Sequence, residues 1–132
     1  MDVLKPVLWV GRTLKDLRGT PQEVRSVVGH ALDLAQRGDK HRDAKPLQGF
    51  GGARVLETVD NDHRTYRAVY TIKYERVVFV LHVFQKKSTR GIKTNKSDLD
   101  LIKKRLQDAE DIFESGVVGL KERERQRKGK TP

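Results

Sequence analysis

A chain of 132 residues, of which 36% are hydrophobic, is long enough for one domain with a modest core. It contains no cysteine, which excludes disulfides, a thiolate nucleophile and cysteine-ligated zinc. Its 28 Lys and Arg outweigh 18 Asp and Glu, and the resulting net charge of +10 suits a polyanion or an acidic partner.

The N-terminus has neither a long apolar run nor a cleavage-site pattern, so no signal peptide or membrane span is expected, and the expected location is the cytoplasm. Pro6-Val7-Leu8-Trp9-Val10 reads as a first strand and Arg12 to Arg18 as a short helix ending before Gly19. A second helix starts with Thr20 as N-cap, Pro21 at the first helical position and Glu23 closing a capping box. Val24, Val27, Val28, Ala31 and Ala35 give it an apolar stripe, and Gly38 stops it. The stretch from Gly38 to Gly52 reads as a polar, glycine-rich loop. Three strand-like runs follow, Arg54–Val59, Thr65–Tyr74 and Val77–Phe84, separated by turns at residues 60–63 and around Glu75, and they predict an antiparallel meander. From Ser97, the expected N-cap, to Glu114, the residues Leu99, Ile102, Leu106, Ala109 and Phe113 step by three and four and predict a closing helix ended by Gly116.

The expected fold class is therefore α+β, with N-terminal helices and a C-terminal helix packed on an antiparallel β-meander. The expected domain covers residues 5–116. Residues 117–132 read as a basic, disordered tail; from Lys121 onward six cations face two acids and carry +4 of the +10.

The most informative stretch leaves the last strand. Leu81-His82-Val83-Phe84-Gln85 runs into Lys86, Lys87, Arg90, Lys93 and Lys96 with no acid among them. A solvated basic loop is the plain reading of such a run, and a phosphate-binding edge is the functional one. Arg67 lies in Tyr66-Arg67-Ala68-Val69-Tyr70, where strand alternation sets it opposite in facing to Tyr66 and Tyr70. Among aromatic and β-branched neighbours a guanidinium needs an anion or an acidic partner, and a cross-strand acid such as Glu57 would serve.

This order of elements, with KPLQGFGG, TYRAVY and VLHVFQKKSTRGIKTNKSDLDLIKKRL, resembles the RelE/HigB superfamily of type II toxin–antitoxin toxins, in its phage-derived HigB-like subfamily. The resemblance implies a small RelE-like domain and a cytoplasmic mRNA endoribonuclease (an mRNA interferase) that acts on ribosome-bound mRNA and inhibits translation. It also implies a cognate helix-turn-helix antitoxin. Its implied catalytic residues are Arg67, for transition-state charge, with Lys86 and Lys87 at the strand end. Lys45, Arg54, Arg64, Gln85, Arg90, Lys93 and Lys96 are the expected RNA-binding residues. The family pattern Glu-Leu-Arg is replaced here by Leu56-Glu57-Thr58, so a basic residue expected near the end of the Arg54–Val59 strand is missing.

Cleavage of RNA through its own 2′-OH needs a base, cations for the phosphate and a donor for the leaving oxygen, and it needs no metal or cofactor. No general base stands out. His82, in mid-strand, reads as a buried, hydrogen-bonded histidine, His30 as structural, and His41 and His63 as loop residues within reach of RNA. The four histidines lack zinc-ligand spacing, and no metal site is expected. Two other functions compete: a ParE-like gyrase inhibitor on the same scaffold, and a nucleic-acid-binding relic without chemistry.

Overall fold

The computed structural model describes residues 4–42, 44–51, 54–59, 65–86 and 94–116. The element order is β1 (Val7–Trp9), α1 (Thr13–Arg18), α2 (Gln22–Gln36), β2 (Lys45–Pro46), β3 (Val55–Val59), β4 (Tyr66–Thr71), β5 (Val78–Gln85) and α3 (Lys96–Glu114). The mixed α+β class agrees with expectation. The expected tail, residues 117–132, lies outside the described residues.

The five strands make one sheet in the order β1-β5-β4-β3-β2. β3, β4 and β5 form the expected antiparallel meander, yet the sheet is not wholly antiparallel. β1 joins β5 in parallel, Leu8 opposite Phe79, because the two helices carry the chain back before the meander begins. β2 lies inside the stretch expected to be loop. Lys45 and Pro46 pair with Glu57 and Leu56, a two-residue edge too short for periodicity to reveal.

Both faces of the sheet are covered, which is why β5 reads as a continuous apolar run. On one face Val24, Val28, Ala31 and Ala35 of α2 pack with Leu56, Ala68, Tyr70 and Val80. On the other, Ile102 and Ala109 of α3 pack with Val55, Val69, Phe79 and Leu81. Each helix turns most of its expected stripe to the sheet, with Leu32 joining that of α2, while Val27 and Leu99 stay half-buried outside the core and Phe113 is exposed.

The helix starts differ from expectation. Thr20 does not cap α2: its hydroxyl donates to the Leu17 carbonyl at 2.6 Å, and Pro21 takes the N-cap position. That bond closes the preceding α1 turn instead, the competition a short hydroxyl side chain always offers the backbone. α3 begins at Lys96 with Asn95 at its N-cap position, two residues ahead of the expected Ser97. Gly38 (φ 84°) and Gly116 (φ 78°) end α2 and α3 in the left-handed conformation, as read from sequence. No helix among the described residues is long and apolar enough to cross a membrane.

Candidate functional site

Side chains alternate along the ladders, so register decides which candidate residues share a face. Val69 packs on the α3 side, and its partner Glu57 therefore points there too. Lys45 is opposite Glu57 and faces the same way. Arg67, two residues from Val69, is opposite Phe84, which also packs on the α3 side. Lys86 lies one residue past β5, and its N–H still donates to the Thr65 carbonyl at 2.6 Å. Alternation from Phe84 puts Lys86 on this face as well. The fold thus places Lys45, Glu57, Arg67 and Lys86 on the α3 side, with Glu57 between Lys45 and Arg67, and Lys86 beyond Arg67 at the end of β5.

Arg67 is not an open cation. Its Nη1 donates to Glu57 Oε1 at 2.5 Å, and the two side chains are only 10% and 13% exposed. The cross-strand acid is the partner realised. Thr94, just before α3, donates from its hydroxyl to Glu57 Oε2 at 3.4 Å. Arg67 Nε is buried without an acceptor, which costs about 1–3 kcal/mol if left so. An anion arriving here finds a guanidinium with unused donors but must displace or share the carboxylate.

Other expected contacts fall elsewhere. Gln85 is opposite Tyr66, on the α2 side, and is exposed, so its amide does not face the Arg67 site. Arg54 precedes β3 with φ 50°, at the far end of the strand from Val59 and Arg67, roughly 17 Å away at strand rise. Both are removed from the site by the register that sequence alone did not fix. Lys96 is exposed at the first position of α3, two residues from Thr94. Lys87, Arg64, Arg90 and Lys93 lie outside the described residues.

His82 is 7% exposed, buried as expected, and it sits on the α3 side because of a bulge. Pairing jumps from Val69–His82 to Tyr70–Val80 and leaves Leu81 over. Its Nε2 is 2.8 Å from Asp98 Oδ1, its Nδ1 is 3.3 Å from Arg105 Nη1, and its ring stacks on Phe84 at 4.4 Å. Arg105 can only donate, so Nδ1 accepts and the proton sits on Nε2, donated to Asp98. Burial depresses the His82 pKa; the hydrogen bond and charge of Asp98 oppose this, and the Arg105 charge reinforces it. This Asp98–His82–Arg105 cluster was not read from sequence. It ties the N-terminal half of α3 to β5. His41 lies in a loop, as read, yet it is buried and packs edge-on to His30 at 5.2 Å. Among the described residues no group of three His, Asp or Glu is placed to hold a metal. The apolar groove between β1 and α2, lined by Leu4, Trp9 and Leu32 among others, contains none of these site residues.

The family model described as Phage derived protein Gp49-like (DUF891) matches residues 15–107, which include Lys45, Glu57, Arg67, His82, Lys86, Asp98 and Arg105. No curated protein matches the chain. With more than half of its length matched, and a mixed five-stranded sheet between three helices, the chain belongs to the Gp49-like phage-derived protein family, a family of RelE/HigB-type toxin-like proteins.

Proposed function

We propose that this protein is the toxin of a type II toxin–antitoxin pair and that it cleaves mRNA without a metal, on the ribosome, in the cytoplasm. One observation supports the chemistry above all: register brings Lys45, Arg67 and Lys86 onto one face of the sheet. The sequence continues from that edge into Lys87, Arg90 and Lys93.

In this reading the RNA backbone lies across the β4–β5 end. Arg67 holds the scissile phosphate, where a planar fork of N–H donors matches the charge that builds on equatorial oxygens. Lys86 or Lys87 neutralises a neighbouring oxygen, and one of them protonates the leaving 5′-oxygen. Lys45 and Lys96 with Arg64, Arg90 and Lys93 track the backbone. The attacking group is the ribose 2′-OH, which DNA lacks, so the reaction selects RNA. A helix-turn-helix antitoxin silences the toxin by covering this basic face.

The ion pair of Arg67 with Glu57 favours a second reading, a nucleic-acid-binding relic whose guanidinium serves the fold. Mapping transcript ends after brief induction in bacteria separates the two. The toxin reading expects growth arrest and new ends bearing 2′,3′-cyclic phosphate or 3′-phosphate. Intact transcripts with trapped gyrase would point to a ParE-like inhibitor, and intact transcripts without arrest to a relic. Arg67→Ala leaves Glu57 buried and unpaired, a change that costs about 3–5 kcal/mol in buried pairs, so Arg67→Lys is the better companion. It keeps the charge and loses the fork, and it should reduce cleavage while the fold survives. If a folded Arg67→Lys chain cleaves as well as the parent, Arg67 is not the phosphate ligand.

A further inference from the structure

We infer that Glu57 is the general base of this reaction, released from Arg67 by the scissile phosphate itself; the inference rests on the ribonuclease reading above. Glu57 is a carboxylate set between two cations, Lys45 opposite it on β2 and Arg67 on β4, with Lys86 beyond Arg67 at the end of β5. Thr94 closes the α3 side of the group, with Asp98 engaged by His82 farther along. A surface meant only to grip phosphate gains nothing from a carboxylate bonded to its central guanidinium, since that charge repels the ligand. An acceptor for the ribose proton belongs there.

The two carboxylate oxygens have separate partners: Oε1 takes Arg67 Nη1 and Oε2 takes the Thr94 hydroxyl. A phosphate oxygen that captures Nη1 frees Oε1, while Thr94 keeps the carboxylate in place. Oε1 then lies beside the bound phosphate, where the vicinal 2′-OH of the same nucleotide must also be. The 2′-hydroxyl proton passes to Oε1, the 2′-oxygen bonds to phosphorus, and the bond from phosphorus to the 5′-oxygen breaks. That oxygen leaves with a proton from the Lys86 ammonium. The products are a 2′,3′-cyclic phosphate and a 5′-hydroxyl, and proton exchange between Glu57, the lysine and water restores the enzyme. Before substrate arrives the same ion pair keeps both groups from water.

The test uses the full purified chain as wild type, Glu57→Gln and Glu57→Asp. Cleavage of a single-stranded oligoribonucleotide and of ribosome-bound mRNA is followed across pH, and binding is measured with the all-2′-deoxy oligonucleotide, which cannot react. Glu57→Gln should cleave about 10²–10⁴-fold more slowly, the range general-base catalysis supplies. It should lose the acidic limb of the pH–rate profile, and it should bind the deoxy probe more tightly, because no carboxylate competes for Arg67. Glu57→Asp should retain the acidic limb at a lower rate. A Gln variant that keeps the wild-type rate and limb overturns the assignment, as does one that binds more weakly with an unchanged profile, which marks a role in folding. A wild-type chain that cleaves neither substrate overturns the ribonuclease reading and the base with it.

Discussion

His82 carries a pH dependence whose sign follows from its surroundings. Its folded-state pKa lies below the ordinary imidazole value of 6.5, because burial disfavours the cation and the Arg105 charge adds to that, against the pull of Asp98. In the unfolded chain the imidazole regains its ordinary value. As pH falls through 6.5 the unfolded state binds a proton that the folded state still refuses. The contribution is therefore fully present above that value and lost progressively below it, until the folded pKa is reached. Thermal midpoints measured from neutral to mildly acidic pH should fall, and His82→Asn should show a shallower decline. Equal slopes for both chains would refute a neutral His82. Gly11 belongs to the same cluster. Its φ is +62°, and a Cβ there would meet Arg105 Nε at 3.1 Å. Gly11→Ala should cost about 1–2 kcal/mol for the left-handed backbone alone and push the guanidinium off His82, which a urea titration would detect.

α3 is the element on which the site face depends. Ile102 and Ala109 are fully buried against the sheet, and Tyr74 stacks on Phe113 near the helix end at 4.3 Å. Ile102→Ala should destabilise the fold by about 2–5 kcal/mol, as buried large-to-small changes do, and a smaller loss in chemical denaturation would mean the helix docks loosely. This helix was legible from sequence because five apolar residues at steps of three and four can satisfy only one period. The meander was legible for the same reason, from alternation and turn residues. β2 was not, since two residues carry no period, and neither was the parallel seat of β1, which depends on where the helices return the chain. For the site, chain order gave the candidate cations but not their facing. The β3–β4 register decides that Glu57 meets Arg67, and a one-residue slip would have turned Arg67 to α2, while the bulge at Leu81 sets the facing of His82. Glu57 was visible as a cross-strand partner for Arg67. Its place between Lys45 and Arg67 came only with the register.

At the scale of the whole molecule, the sheet separates two tasks. One face is closed by α1 and α2 around an apolar core, and the other is closed by α3 yet carries the cations at the β4–β5 end. A net charge of +10 draws any polyanion, so attraction alone does not locate the binding site. Salt dependence can. Each phosphate neutralised on a single strand contributes a slope of about −0.7 to the logarithm of affinity against the logarithm of salt. If Lys86 and Lys87 contact the RNA backbone, replacing both by Ala should flatten that slope by about 1.4 and weaken binding at low salt most. A control that replaces Lys103 and Lys104, exposed on α3, removes equal charge from elsewhere on the surface. It should change the long-range field, hence the association rate, with far less effect on the slope. Should both double variants flatten the slope equally, the chain binds RNA by its overall charge rather than by the strand-end face, and the argument for phosphate contacts at Lys86 and Lys87 fails.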